Sequence, residues 1–483
     1  MNYRMMAYIL GNILRVEGLF LLAPVLIAVY YGEEKALVAF LLSICSAMIA
    51  GTILARFKPK DRKIYGREGF VIVALAWILM SAFGALPFYF SGAIKGIMNC
   101  LFETVSGFTT TGASVLSEIE GLPRSILFWR SFTQWIGGMG ILVFMLAIMP
   151  AVDERSMHLM RAEAPGPVVG KLVPKVKATA KILYGIYIIL TLVLAVLLFS
   201  GGMPLFDSIV NSFSTAGTGG FSIKNASIAA YGNSYYEYII TIFMLLFSIN
   251  FDLHHLFFIR DFKNIFKNEE LRYYLFIIFG AIGVITVNIL SLYPTVESAF
   301  RHAAFQVLSI ISTTGFATAN YDVWPELSKS LIIILIIIGA CGGSTSGGIK
   351  VSRLIILLKM AGREIRHIVH PRSINIIKLD SHKIDEDIIR GVTGYIIIYL
   401  FIIFGSFLLI SLDNFDFTTS ITTVLTCFGN VGPGLGMVGP IENYAFFSDF
   451  SKLVLCADML LGRLEIFPII MLFSPAVWRR SYM

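Results

Sequence analysis

The sequence predicts an all-α polytopic membrane protein: four non-identical helix–loop–helix repeats around a pseudo-fourfold axis, plus two N-terminal transmembrane helices. Three observations predict it. The chain has 483 residues, 57% of them hydrophobic and only 14% charged, whereas soluble proteins carry about 25% charged residues. Apolar runs able to cross a hydrocarbon layer roughly 30 Å thick recur along the whole length. A short amphipathic stretch followed by a Gly/Thr segment returns four times.

Ten spans are expected, at 8–30, 36–55, 69–90, 127–150, 178–200, 235–258, 272–293, 330–358, 390–411 and 452–474, the eighth broken in its middle. The first run is too long for a signal-peptide core and is kept as a helix. Cations gather in RFKPKDRK at 56–63, in 152–181, in RDFKNIFK at 260–267, in 359–389 and in the C-terminal WRRSYM. These segments are expected to face the cytoplasm, with both termini inside. The net charge of +7 follows from this loop chemistry and does not point to nucleic acid. The five cysteines, Cys45, Cys100, Cys341, Cys427 and Cys456, are scattered without metal-ligand spacing and are expected to be small buried hydrophobes.

The other connections are poor in cations and rich in Gly, Ser and Thr. Each opens with a stretch too short to span: GIMNCLFETVS, PLFDSIVNSFS, AFRHAAFQVLSIIS and FTTSITTVLTCF. One such stretch reads as an interfacial helix; four at corresponding places read as re-entrant pore loops. The expected organisation is an accessory two-helix segment at 1–66 and pore repeats at 67–152, 175–265, 268–370 and 385–483. The four Gly/Thr segments are TTTGA (109–113), GTGGF (217–221), STTGF (312–316) and GNVGP (429–433). They supply a candidate filter of Thr110, Thr111, Gly112, Thr218, Gly219, Gly220, Thr313, Thr314, Gly315, Asn430, Val431 and Gly432.

Irregular backbone is tolerated at membrane depth only where it is buried in protein or lines water or an ion. Glycine permits backbone shapes closed to other residues and close approach. Four loops around one axis would present rings of carbonyl oxygens able to replace the hydration shell of a monovalent cation. Threonine hydroxyls and the Asn430 amide would add oxygens, and the negative C-terminal ends of the short helices would face the same centre. No carboxylate lies inside these segments, which argues against a divalent-cation filter. Only one glycine is common to all four, so one well-formed carbonyl ring is expected.

Inside the eighth span, IGACGGSTSGGIK at 338–350 is too rich in glycine to stay helical. It does not fit the Gly-Lys-Ser/Thr phosphate-loop pattern. Close helix packing on small residues, the discontinuous helix of an alternating-access transporter and a flexible plug remain open. The gate candidates are Gly342, Gly343, Ser344, Thr345, Ser346, Gly347 and Gly348, within an intramembrane loop at 339–349, with Lys350 just beyond its end and Arg463. Arg463 lies near the middle of the last span, where a charge is costly. It pairs with Asp458, Glu465 or an acid on another span, or sits on the pore axis as a barrier to cations, and the two readings are compatible. Glu103, Asp207 and Asp416 are read as helix caps or mouth charges, and Arg130 is paired with an acid such as Glu103.

With these motifs, and with GACGGSTSGGIKVSRL at 339–354, QWIGGMGILV at 134–143 and MLLGRLEIF at 459–467, the chain resembles the Trk/Ktr/HKT superfamily of potassium transporters over nearly its whole length. It is most similar to the TrkH-type membrane subunit of bacterial Trk potassium uptake systems. The resemblance implies potassium as the ion bound in the filter, and it favours the plug reading of 339–349 and the axial placement of Arg463. It also implies a homodimer in the cytoplasmic membrane of a prokaryote and a cytosolic, TrkA-like nucleotide-binding regulatory subunit. In sodium-preferring plant relatives the first-loop glycine is often serine; Gly112 implies potassium permeation. Alternatives are a symporter coupling K⁺ or Na⁺ to H⁺ or Na⁺, and a membrane enzyme. No nucleophile–base pair or His/Cys/Asp/Glu cluster with usable spacing supports the enzyme.

Overall fold

A computed structural model describes residues 1–57, 59, 65–140, 176–372, 375–380 and 382–478. The N-terminal part holds α1 (Tyr3–Phe20), α2 (Leu22–Tyr31) and α3 (Glu34–Ala55). It continues through α4 (Gly66–Gly84), α5 (Leu86–Ser91), the short α6 (Ile97–Phe108) and α7 (Arg124–Gly138). Then come α8 (Val176–Ser200), the short α9 (Leu205–Ala216), α10 (Ser234–Ser248) and α11 (Phe251–Phe258). A third group is α12 (Glu269–Ile289), the short α13 (Val296–Ile311), α14 (Glu326–Ile338) and α15 (Val351–Val369). The last is α16 (Glu386–Ile410), the short α17 (Phe417–Gly429), α18 (Asp449–Arg463) and α19 (Phe467–Phe473).

Local chemistry sets several of these limits. Asn2, Thr295, Asp416 and Ser448 cap α1, α13, α17 and α18 through side-chain oxygens that accept from backbone N–H groups. Pro123, Pro204 and Pro325 stand at the N-caps of α7, α9 and α14. Of the three acids read as caps, only Asp416 is one. Glu103 lies in mid-helix, bonded to Arg130, and Asp207 accepts from the Tyr231 hydroxyl at 2.9 Å.

The ten expected spans need correction. Among the described residues, six helical stretches are long and apolar enough to cross a membrane, and a seventh counts if α10 and α11 are joined. That pair, expected as one span at 235–258, bends by 99°. The tenth span, expected at 452–474, stops at Arg463 and restarts at Phe467, with Glu465 and Ile466 at positive φ. The eighth is broken as expected, between Ile338 and Val351. The fourth ends at Gly138; its inner part, 141–150, and the 152–175 portion of the basic loop lie outside the described residues. Thus α7, α10, α14 and α18, the helices that follow the four loops, all stop after 13 to 15 residues. Cys45 is exposed; the other four cysteines are buried, and all five are free thiols.

The short helices close a ring. Each packs against the helix that follows the loop of the preceding group: α9 on α7, α13 on α10, α17 on α14, and α6 on α18. The first and last groups are thereby brought together. The N-terminal α1 packs on α3 and α4, outside this ring.

Candidate functional site

All four short helices end in one pattern. A residue one or two places past the helix takes a left-handed conformation: Thr110 (φ 56), Thr218 (φ 53), Thr313 (φ 58) and Asn430 (φ 54). The next amide reaches back five residues: Thr111 N to Ser106 O (2.9 Å), Gly219 N to Ser214 O (2.9 Å), Thr314 N to Ser309 O (2.8 Å) and Val431 N to Thr426 O (2.9 Å). This is the Schellman ending, which normally takes glycine. Threonine at positive φ is strained, by about 1–3 kcal/mol, and it recurs in three of the four loops.

Two residues on, the shared glycines follow: Gly112 (φ 81), Gly220 (φ 72), Gly315 (φ 83) and Gly432 (φ 92). A Cβ built on Gly112 would lie 2.1 Å from Gly219 O, one on Gly220 2.0 Å from Thr314 O, one on Gly315 2.3 Å from Val431 O, and one on Gly432 2.6 Å from Thr111 O. Each glycine thus faces the carbonyl of the next loop, and the fourth returns to the first. Close approach of loop to loop is what requires glycine here. The same four glycines line a cavity of about 80 Å³, together with residues downstream such as Glu442 and Tyr444.

The structure therefore brings the twelve predicted filter residues together. Four of their five hydroxyls divide into two sets, while that of Thr110 is buried with no hydrogen-bond partner among the described residues. Thr111 Oγ1 bonds Thr109 Oγ1 (2.8 Å) and accepts from Asn430 Nδ2 (3.0 Å), and Thr314 Oγ1 bonds Ser312 Oγ (2.7 Å). These two brace the loops. Thr218 Oγ1 and Thr313 Oγ1 are turned to the 339–350 segment instead.

That segment lies against the ends of the short helices. Gly347 N donates to Thr313 Oγ1 (2.8 Å), Thr218 Oγ1 donates to Thr345 Oγ1 (3.3 Å), and a Cβ on Gly347 would meet Gly429 O at 2.4 Å. Its two ends touch: a Cβ on Gly348 would lie 2.7 Å from the Gly339 Cα. Glu270 on α12 holds both flanks with one oxygen, accepting from Gly342 N (2.8 Å) and Ser352 N (3.0 Å). Gly343 O accepts from Phe251 N (3.1 Å), and Ser344 Oγ donates to Cys341 O (2.6 Å). Lys350, buried and at φ 80, donates through Nζ to Ser346 O.

Arg463 sits beside this segment. Its guanidinium donates to Thr345 O (2.6 Å) and to the Gly137 and Gly138 carbonyls at the end of α7, and lies 5.9 Å from the Trp77 ring centre. The ion pairs considered for it are otherwise engaged. Glu465 pairs with Arg353, and Asp458 accepts from Ser406 Oγ at 2.7 Å.

Arg130 pairs with Glu103 at 2.7 Å, both fully buried, as expected. Arg130 also donates to Ser222 O (3.1 Å), and Glu103 accepts from Val115 N (3.0 Å), so the pair ties the first loop to the second. Arg130→Met is expected to cost about 3–5 kcal/mol by leaving the Glu103 carboxylate buried alone, with part recovered in the Arg130→Met/Glu103→Gln double variant. Thermal unfolding in detergent checks both.

Three residues at the site escaped the sequence reading. Gln134 bonds the second loop twice, donating from Nε2 to Gly219 O (2.6 Å) and accepting at Oε1 from Phe221 N (3.0 Å). Tyr444 donates to Gly432 O (2.6 Å). Glu270 is the third. Gln134 at least stood in the QWIGGMGILV motif; Tyr444 and Glu270 carry no local signal.

A membrane chain whose four glycine-bearing bends close on one another has the architecture of a transporter of small ions. Residues 36–480 match the family model TrkH, described as a cation transport protein. The Trk system potassium uptake protein TrkH of Salmonella typhimurium is 36% identical over 99% of this chain and 100% of its own length. TrkG of Escherichia coli, of the same description, is 33% identical over 99% of each. The crystal structure of the potassium transporter TrkH from Vibrio parahaemolyticus superposes with a TM-score of 0.89, at 33% identity, covering 99% of this chain and 100% of that one. The chain belongs to the TrkH family: it is a membrane transport protein and not an enzyme.

Proposed function

We propose that the protein carries potassium into a prokaryotic cell across the cytoplasmic membrane, through one pathway per chain. The ring of four loops is the filter. K⁺ exchanges part of its water there for the main-chain oxygens of 110–112, 218–220, 313–315 and 430–432. Supporting this is the closure of the four loops on one another, with most of these buried carbonyls met by no donor among the described residues. Buried oxygens without partners are expensive in a membrane unless an ion or water meets them. The relatives' description as potassium uptake proteins selects the ion.

The 342–348 segment is the gate. It bears on Thr218, Thr313 and Asn430 from one side and is held by Arg463, whose charge opposes cations on the same path. Flux is driven by the membrane potential, about 2.3 kcal/mol per charge per 100 mV, and needs no coupled ion. The termini and basic loops face the cytosol. The family likeness supports a homodimer and a cytosolic nucleotide-binding partner of TrkA type.

The test is rubidium uptake by purified protein in liposomes, with the potential clamped by ionophore and with sodium as competitor. Uptake that follows the potential, resists excess sodium and ignores imposed proton and sodium gradients is expected. Uptake that needs either gradient would overturn the reading. Arg463→Ala is expected to raise that uptake several-fold if the guanidinium restrains conduction; unchanged uptake would reduce it to a packing residue.

A further inference from the structure

The four loops are not equal donors. Each offers three successive carbonyls, which form three levels. The first holds Thr110, Thr218, Thr313 and Asn430; the second Thr111, Gly219, Thr314 and Val431; the third Gly112, Gly220, Gly315 and Gly432. Among the described residues, no hydrogen bond is donated to any carbonyl of the first level. At the second level Gly219 O accepts from Gln134 Nε2 at 2.6 Å, while the other three oxygens accept nothing from the described residues. At the third Gly432 O accepts from the Tyr444 hydroxyl at 2.6 Å, and the same holds for its other three.

Both engagements are built into the fold. The second position is Thr, Gly, Thr and Val in the four loops. Only Gly219 lacks a side chain, and the Gln134 amide fills that space: a Cβ on Gly219 would lie 2.4 Å from Gln134 Cδ. The amide is fixed from its other end by Phe221 N–H. Tyr444 is buried, its own N–H donates to Ser114 O at 2.8 Å, and its ring lies 5.7 Å from that of Phe102. It therefore reaches the fourth loop from an anchor on the first.

Resting on the filter reading of these loops, we infer that Gln134 and Tyr444 set how strictly this protein discriminates among alkali cations. They do so by engaging one carbonyl at each of two levels and leaving a single complete four-oxygen ring, at Thr110, Thr218, Thr313 and Asn430. An oxygen that already accepts an N–H or O–H is a weaker ligand for an ion than a free one. Selectivity for K⁺ over Na⁺ depends on the number and field strength of the coordinating carbonyls. Both residues are positioning residues; they act through the backbone oxygens of Gly219 and Gly432.

Tyr444→Phe removes one hydroxyl and keeps the ring; Gln134→Met removes the amide at nearly constant volume. Rubidium uptake into liposomes by the full-length protein, titrated with K⁺ and with Na⁺, gives the preference ratio. Freeing Gly432 O, or Gly219 O, is expected to raise the preference for K⁺ over Na⁺ by about threefold or more. A ratio that falls, or stays within about twofold of the parent in variants of normal uptake, overturns the inference. Should Gln134→Met fail to assemble because the Phe221 bond is lost as well, Tyr444→Phe decides alone. Gly315→Asp separates the two readings. If it keeps the parent ratio, the filter assignment itself falls; if it loses selectivity while Tyr444→Phe changes nothing, only the tuning role of Gln134 and Tyr444 falls.

Discussion

Gly315→Asp is expected to end discrimination between potassium and sodium. Two effects act together. At φ 83 any side chain is strained, and a Cβ at this place would stand 2.3 Å from Val431 O and 2.8 Å from Pro433 Cδ. The third and fourth loops cannot keep their spacing. The added carboxylate then places a full negative charge where the parent offers neutral oxygens, which favours the smaller, more strongly hydrated ion. Sodium competition in the rubidium assay should strengthen by about tenfold or more, equivalent to at least about 1.4 kcal/mol. Gly315→Ala separates the effects, because it brings the clash without the charge. Parent-like selectivity in both variants would remove the filter from this ring.

The second large effect is expected from deleting 342–347. The excision is geometrically mild. Gly339 and Gly348 are already in contact, and Ile349 N and Lys350 N bond back to Ile337 O and Ile338 O. The flanking helices α14 and α15 can therefore stay where they are. What is lost is the contact of Thr345 and Gly347 with Thr218, Thr313 and Asn430, and the Thr345 carbonyl that receives Arg463. Basal rubidium flux should rise by about tenfold or more if the segment blocks the path. Flux equal to that of the parent would reduce the segment to packing.

Much of this architecture was legible because it repeats. Four glycines two places after a Thr or Asn, each behind a short amphipathic stretch, mark the loops without any structure. A glycine run inside an apolar span marks the broken eighth helix, and an arginine near the outer end of an apolar span marks a charge that needs an acid such as Glu103. The break after Ser248 was not legible: SINFDL has neither glycine run nor proline at the bend. The break after Arg463 left a signal unused, because Pro468 stands in the first turn of α19 and Arg463 and Glu465 interrupt the apolar run. Those breaks are fixed from elsewhere in the chain. Phe251 N bonds Gly343 O, Cys341 N bonds Ser248 O, and Glu465 is drawn to Arg353. Gln134 and Tyr444 were hidden for a similar reason: Gln134 acts on the second loop from α7, and Tyr444 turns back onto the fourth loop from an anchor on the first, and no local pattern records either reach.

The grip of Glu270 has a consequence for how traffic through the protein can be regulated. A single oxygen bonds both shoulders of the 342–348 segment, so a shift of α12 loosens these two bonds together. A mechanical input delivered anywhere along that rod arrives at the two fastenings simultaneously. On the proposed reading of this segment as the gate, flux through one chain is expected to be stepped, shut or open, with graded responses coming from how many chains are open at a given moment.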